Sequence, residues 1–109
     1  NAQIRFVYGS AGTTVRAYLQ TSLDGGTTAI DIACVLFYTA SEVSVFNFSG
    51  LTPKLFNSDS PPIGVLPTDG ALADNTAIDG ILGDRFRVKL VSTGTYAGQT
   101  MVSTRLTFR

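Results

Sequence analysis

Residues Gln20–Ala33 read "QTSLDGGTTAIDIA", and this stretch sets the fold because it has the features of a β-hairpin tip. An alternating segment precedes it, an apolar segment follows it, and Asp24, Gly25 and Gly26 lie between the two. Aspartate accepts hydrogen bonds from backbone amides two residues further on, and consecutive glycines supply the positive φ angles of tight turns. We interpret the stretch as a turn that fixes a hairpin, with a ligand site as the alternative.

The β pattern extends over the whole chain of 109 residues. Val, Ile, Thr, Phe and Tyr dominate the periodic segments, turn-forming residues separate them, and no segment has convincing helical periodicity. The pattern predicts a single all-β domain over residues 1–109, an antiparallel β-sandwich with a jelly roll as one form of it. The predicted strands lie near residues 4–8, 14–22, 28–38, 42–48, 84–92 and 100–108.

Two of these strands carry the most information about the sheets. Strand 14–22 alternates, which predicts one face with Val15, Ala17, Leu19 and Thr21 and the other with Arg16, Tyr18 and Gln20. Strand 28–38 loses its alternation after Ile32, as expected for a central strand that is covered on both faces. We expect one hairpin between strands 14–22 and 28–38, and another between strands 84–92 and 100–108.

The composition excludes several classes of function. The chain has no His, no Trp and one Cys, so it cannot form a Ser–His–Asp triad, a Cys–His pair or a thiolate zinc site. Cys34 lies in the apolar run "IACVLFY" and is interpreted as a core residue. Eight basic side chains balance eight acidic ones, which argues against nucleic-acid binding, and no segment is apolar enough for a membrane span. We expect no enzymatic activity, no cofactor and no metal.

Residues 49–83 form a long connection that holds all four prolines and, counted to Asp84, five of the eight acidic residues. One short strand is predicted within it, at Ile63–Leu66. The segment is too apolar for a disordered linker, so we expect it to pack on its own sheet or on a neighbouring subunit. Among its apolar residues, those assigned to a partner contact are Leu55, Phe56 and Ile63.

Four aspartates recur five residues apart in this region, at Asp69, Asp74, Asp79 and Asp84. Oxygen-rich loops can bind Ca²⁺, but an EF-hand loop places its ligands two residues apart and ends in Glu, unlike this series. Asp-Gly pairs at 69–70 and 79–80 are ordinary turn dipeptides. We favour turns and caps, and keep Ca²⁺ as the alternative.

Basic side chains form a stripe on the predicted hairpin of strands 84–92 and 100–108. A turn centred on Tyr96 places Arg87 opposite Arg105 and Lys89 opposite Ser103, and like charges directly across a strand pair are unfavourable. The stripe therefore either extends into solvent or meets carboxylates from the Asp-rich segment or from a partner. The residues assigned to it are Arg85, Arg87, Lys89 and Arg105.

Tyrosines offer an apolar ring with a polar tip, which suits the stacking of sugars. Of Tyr8, Tyr18, Tyr38 and Tyr96, the better candidates for such a contact are Tyr18, predicted to face outward, and Tyr96, predicted to lie in a loop. Tyr96 is also assigned to the candidate partner contact. The alternative is that the tyrosines pack in the core or on the sheet surface.

Two resemblances bear on function. Ser22, Asp24, Gly26 and Thr28 match the Asp-box pattern of sialidase-like propellers, although Ala29 replaces its Trp, and this resemblance implies a hairpin-shaping role. The segments "VRAYLQTSLDGGTTAIDIA" and "PTDGALADNTAIDGILGDRFRVKLVSTGTYAG" resemble small structural proteins of tailed bacteriophages and prophages. The second resemblance covers most of the chain from Thr14 onward.

The phage resemblance implies a non-enzymatic virion protein. Its most similar type is a capsid decoration or cement protein that binds the major capsid protein, or other virion subunits, on the outer head surface. Such proteins are often homo-oligomers, with a trimer favoured, and we expect residues 49–83 and the N-terminal segment to reach neighbouring subunits. The alternative is a carbohydrate-binding β-sandwich module of the tail or fibre.

Overall fold

The computed structural model describes residues 1–51, 53 and 65–108. All regular structure in these ranges is β, and no helix there is long and apolar enough to cross a membrane. The strands are β1 (Ala2–Val7), β2 (Ser10–Ala11), β3 (Thr14–Ser22), β4 (Ile30–Phe37), β5 (Glu42–Phe46), β6 (Thr76–Ala77), β7 (Arg85–Thr93), β8 (Tyr96–Ala97) and β9 (Met101–Leu106).

Two antiparallel sheets form a sandwich, so the predicted fold class is confirmed. One sheet has three strands in the order β5-β1-β9, and the other has four in the order β6-β4-β3-β7. A small pair, β2-β8, lies beside them. The N-terminal segment is thus the central strand of its own sheet over Ala2–Val7, and the expectation that it contacts a neighbouring subunit stays a prediction.

The core lies between the two sheets. Ile4 and Phe6 of β1 pack against Val15 and Ala17 of β3 and Phe37 of β4. The Phe6 and Phe37 rings stack with their centroids 5.1 Å apart. A second cluster continues the core with Ala2, Leu19, Ile32 and Ala33. Full burial of one large apolar side chain contributes about 2 kcal/mol, so these residues are the main source of stability.

The hairpin of β3 and β4 is confirmed, and it contains a bulge that explains the lost alternation. Leu19 lies opposite Ala33, but Gln20 lies opposite Asp31, so Ile32 has no counterpart on β3. The extra residue lets both Ile32 and Ala33 join the core. Asp31 then shares the other face of the sheet with Gln20. As predicted, β4 is buried along most of its length.

The second predicted hairpin is wrong. Strand β7 pairs with β3 and strand β9 pairs with β1, so the two lie in different sheets. Arg87 therefore lies opposite Gln20, Lys89 opposite Tyr18, and Arg105 opposite Gln3. The physical reason is that the apolar faces of β7 and β9 both point into the core, where Val88 and Val102 pack in one cluster. The segment between them crosses from one sheet to the other through β8.

Candidate partner-binding surfaces

The turn between β3 and β4 is held by its own side chains. The Ser22 hydroxyl donates a hydrogen bond to Asp24 Oδ1 (2.8 Å) and accepts one from the Gly26 amide (3.0 Å). The Thr28 amide donates to Asp24 Oδ1 at 2.7 Å. Gly25 and Gly26 have φ angles of 72° and 103°. The four residues of the Asp-box pattern thus all act within the turn, through hydroxyl and backbone bonds and the positive φ of Gly26, which supports the turn interpretation.

These bonds also set the charge of the turn. Hydrogen bonds from the Thr28 amide, and then from the Thr28 and Ser22 hydroxyls, lower the pKa of Asp24 from 3.8 to about 2. A carboxylate that accepts several hydrogen bonds is stabilised in its ionised form. Asp24 therefore stays ionised well into the acid range and keeps the turn closed there.

Asp31 anchors the long connection to the four-stranded sheet. Its side chain is 1 % exposed, and it accepts hydrogen bonds from the Thr68 hydroxyl (2.8 Å) and from three consecutive backbone amides. The amides belong to Gly70 (2.9 and 3.0 Å), Ala71 (2.9 Å) and Leu72 (3.2 Å). The Asp31 amide donates in turn to the Thr68 carbonyl. We call Asp31 with Thr68–Leu72 the Asp31 clamp.

The carboxylate of the clamp is ionised because its hydrogen bonds outweigh its burial. Burial alone raises the pKa of Asp31, but the bonds it accepts bring the pKa below 3.8. The lowering groups are Gln20, Ala71, Gly70 and Thr68. Gln20 is itself 1 % exposed and donates to Asp31 at 2.7 Å, so the buried charge has no missing partner.

Part of the predicted basic stripe closes over this clamp. Asp69 accepts hydrogen bonds from Gln20 (2.9 Å), Arg87 (3.1 Å) and Lys89 (3.1 Å). The Gln20 bond, followed by Lys89, lowers the pKa of Asp69. Arg87 and Lys89 thus meet a carboxylate of the chain's own Asp-rich segment, which was one of the two predicted outcomes.

A second contact fixes the same segment at Asp74. The Arg16 guanidinium donates to Asp74 at 2.7 Å, and this bond lowers the pKa of the carboxyl. Tyr18 lies on the predicted face of β3, with Arg16 and Gln20, but it is only 5 % exposed, so its predicted availability to a ligand is wrong. The pattern of β3 could not reveal this, because the cover comes from residues about 50 positions further along the chain.

The other two aspartates of the series have separate structural roles. Asp79 accepts a hydrogen bond from the Ser49 amide (3.2 Å), and the Asp84 amide donates to the Ser22 carbonyl (2.8 Å). Within the described ranges, no group of three or more His, Cys, Asp or Glu residues could hold a metal ion. The side chains of the first two aspartates of the series thus form ion pairs rather than the hydrogen bonds of a turn, Asp79 accepts a bond as a capping residue does, and the bond of Asp84 involves only its backbone.

The remaining predicted partner residues are scattered. Tyr96 lies in β8 and not in the predicted loop, and it is half-buried. Its ring centroid is 5.8 Å from that of Phe6 and its hydroxyl donates to the Tyr38 carbonyl (2.8 Å), so the structure gives it a packing role. Arg105 lies on the opposite sheet from Arg85, which is exposed beside the β3–β4 turn. Leu55, Phe56 and Ile63 lie outside the described residues. So does half of the predicted strand Ile63–Leu66, and its described half, Val65 and Leu66, is not a strand, so the prediction is wrong there. A contact role for the predicted partner residues stays a prediction.

Arg85 lines a small cavity beside the turn. Its volume is about 180 Å³, and its walls include Gly25, Gly26, Ala29 and Phe86. Ala29 occupies the position where the Asp-box pattern has Trp, so the small side chain leaves this space unfilled.

The outward side of the three-stranded sheet is the surface that the sequence interpretation missed. Residues 3, 5 and 7 of β1 point away from the core, and their neighbours on β5 and β9 do the same. We call this surface the open face; its residues are Gln3, Arg5, Val7, Val43, Val45, Met101, Ser103 and Arg105. Val45 is 71 % exposed, Met101 55 % and Val43 51 %. The alternation of Val43 and Val45 with Ser44 and Phe46 was a usable signal for it.

Comparison with known proteins finds no matching family model, no matching curated protein and no matching solved structure. The geometry therefore defines the class of the protein as an antiparallel β-sandwich with one covered and one open outer face.

Proposed function

We propose that this chain is a non-enzymatic structural protein of a tailed-bacteriophage particle, of the capsid decoration or cement type. The proposal joins the sequence resemblance to phage structural proteins with one structural observation, the open face. Four apolar side chains, Val7, Val43, Val45 and Met101, lie exposed on one regular sheet surface. Exposed apolar side chains next to arginines on a regular sheet surface have the mixed composition that is found in protein–protein contacts. The proposed partner is the major capsid protein or another virion subunit.

The covered face supports the same proposal in a different way. The Asp31 clamp and the contacts of Asp69 and Asp74 hold residues 65–83 against the chain's own sheet. A module that attaches to a capsid gains affinity when its surface is rigid before binding, since less freedom is lost on association. The described part of the long connection therefore stabilises the module, and we assign attachment to the open face.

The size of the open face favours attachment in several copies. Three strands of about six residues, spaced about 4.8 Å apart with a rise of about 3.3 Å per residue, cover about 300 Å². A stable interface buries about 800 Å² on each partner. One face alone is therefore a weak binder, and avidity from a homo-oligomer, with a trimer favoured, would supply the missing affinity on a repeated surface.

The rival proposal, a carbohydrate-binding module of the tail or fibre, has less support from the tyrosines. Tyr18 is buried, and Tyr96 packs its ring against Phe6, which leaves Tyr38 as the well-exposed candidate at 56 %. Saturable binding of a defined oligosaccharide that is lost in Tyr38→Ala would favour the rival.

The direct test is sedimentation of the purified chain with heads of the encoding phage prepared without it, followed by a count of copies per head. Saturation at a fixed number set by capsid symmetry is the expected result. No binding, or only a few copies per head, would overturn the decoration proposal and direct attention to the tail or fibre.

A further inference from the structure

The open face carries two positive charges, Arg5 and Arg105, and its own eight residues include no carboxylate. Arg5 lies opposite Ser103 and Val43, and Arg105 lies opposite Gln3, so the two guanidinium groups occupy diagonal positions on adjacent strands. Within the described residues, the ion pairs are Arg16–Asp74, Arg87–Asp69 and Lys89–Asp69, and none involves the open face. This differs from the covered face, where Asp69 and Asp74 neutralise the basic residues beside them.

The polar and apolar parts of the open face are spatially ordered. Arg5, Arg105, Gln3 and Ser103 line a shallow polar groove of about 300 Å³ along β1 and β9. Val43 and Val45 border it on the β5 side. Diagonal cross-strand neighbours lie about 7–8 Å apart, so the two cations are close enough to act on one partner surface.

We propose that the open face docks an acidic protein surface, in which carboxylates pair with Arg5 and Arg105 and apolar side chains cover Val43 and Val45. This inference rests on the proposed function for the identity of the partner, but not for its chemistry. Arginine is well suited to the role, because its planar guanidinium binds a carboxylate through two parallel hydrogen bonds and is weakly hydrated. The valines add contact area next to the charges, and a neutral or basic surface would leave both guanidinium groups without partners.

The test uses an acidic polypeptide, poly-L-glutamate, as the probe, so that it does not depend on phage heads. The ¹⁵N-labelled chain is titrated with the probe at low salt, and the shifts of the backbone amides are followed by NMR. The expected shifts concentrate on β1 and β9 around Arg5 and Arg105, and they weaken as salt is added, because exposed charge pairs are screened.

Two variants with matched charge sharpen the result. Arg5→Gln with Arg105→Gln lowers the net charge by two on the open face, and Leu23→Glu with Thr27→Glu lowers it by two on the exposed β3–β4 turn. Each exposed charge pair changes affinity by about two- to fivefold, so the first variant should bind the probe about tenfold more weakly than the second. Equal binding by the two variants, shifts centred on β7, or no binding by the unmodified chain would overturn the inference.

The two proposals fail separately in these experiments. If the chain binds poly-L-glutamate through Arg5 and Arg105 but does not sediment with heads, the acidic partner lies elsewhere and the decoration proposal fails. If the chain sediments with heads and the double glutamine variant does so with equal affinity, the decoration proposal stands and the acidic docking surface is wrong.

Discussion

The two outer faces of the sandwich have the same antiparallel strand geometry, but one is covered by the chain's own residues and the other is exposed. On the four-stranded sheet, residues 68–75 lie over the strands, and the buried Asp31 carboxylate holds Thr68–Leu72 in place. On the three-stranded sheet, the outer side chains include exposed valines and two arginines that form no ion pair within the part of the chain that the structure describes. The polar groups of the covered face form hydrogen bonds and ion pairs within the chain, and these stabilise the fold. The side chains of the open face are exposed. Mutations on the two faces should therefore have different consequences.

The largest effect is expected at the centre of the covered face, for Asp31→Asn. The asparagine amide group would replace an oxygen that accepts from Gly70, Ala71 or Leu72, and so would bring a donor against donors. Hydrogen bonds to a buried charge contribute about 1.5–3 kcal/mol, and several are affected at once. We expect a loss of about 3 kcal/mol in the free energy of unfolding, measured by urea denaturation.

Asp79→Asn is the matched control for this change. Its carboxyl accepts one bond from the Ser49 amide on an exposed part of the chain, and asparagine keeps an acceptor there. We expect a loss within about 0.5 kcal/mol. If both variants unfolded at the same urea concentration as the unmodified chain, the clamp would not be a source of stability.

The junction between the connection and β3 should be nearly as sensitive. A Cβ on Gly83 would overlap the Ser22 carbonyl oxygen, at the point where the Gly83 and Asp84 amides bond to Thr21 and Ser22. Backbone must move to relieve that clash, so Gly83→Ala should cost about 2–3 kcal/mol by thermal or urea unfolding.

Gly50→Ala serves as the control at this junction, since its Cβ would meet only the side chain of Leu82, at 3.2 Å. We expect a smaller loss than for Gly83→Ala. Equal losses in the two variants would mean that the close approach of Gly83 to β3 is not formed in solution.

Acid should destabilise the chain through the covered face and the turn. The folded protein holds the pKa of Asp24 at about 2 and that of Asp31 below 3.8. A lowered folded pKa contributes stability that is complete above the ordinary value and is lost as the pH falls through the folded value. The urea midpoint should therefore fall between about pH 4 and about pH 2.

Removing one of these carboxyl groups should flatten that dependence. In Asp24→Asn the turn has no carboxyl group that titrates in this range. The urea midpoint should therefore fall less between about pH 4 and about pH 2 than it does in the unmodified chain. An unchanged acid dependence in Asp24→Asn would show that the bonds from Ser22 and Thr28 do not hold the carboxylate.

The smallest change in the free energy of unfolding is expected when the same substitution, Arg to Gln, is made on each face and the two losses are compared. Arg16 bonds Asp74 at 2.7 Å, and both side chains are about a third exposed (33 % and 39 %), so Arg16→Gln should cost about 0.5 kcal/mol. Arg5→Gln removes no ion pair described here and should leave the free energy of unfolding unchanged within that margin. A greater loss for Arg5→Gln would mean that the open face contributes to internal stability.

Much of the fold was predictable from local patterns, but the covered face was not. The turn chemistry of Ser22–Thr28 and the alternation of β3 led to the correct hairpin, because both signals lie within a few residues. The pairing of β7 with β9 was wrong, because β7 and β9 have equivalent alternation and either could adjoin the other or face it across the core. The alternation of a strand predicts which of its residues face the core, but it does not determine which strand pairs with it.

The position of Asp31 shows a second limit. In "IDIAC" it looks like the polar member of a strand, yet it is buried by Thr68–Leu72, nearly 40 residues away. The bulge at Ile32 also changes the face on which the following residues lie. The sequence left open whether Arg87 and Lys89 extend into solvent or meet carboxylates, and the structure pairs both with Asp69. A positive charge predicts attraction to a carboxylate, but it does not determine which carboxylate lies nearby.

The chain carries its own reporter for the open face in Met101, its single methionine, which is 55 % exposed. Peroxide converts an exposed methionine to the sulfoxide, and a partner that covers the side chain slows this reaction. The measurement is the oxidation rate of Met101, by mass spectrometry, in the unbound chain and in the chain sedimented with phage heads. Our account predicts marked protection of Met101 in the bound chain. Oxidation of the head-bound chain at the unbound rate would contradict the claim that the open face is the attachment surface.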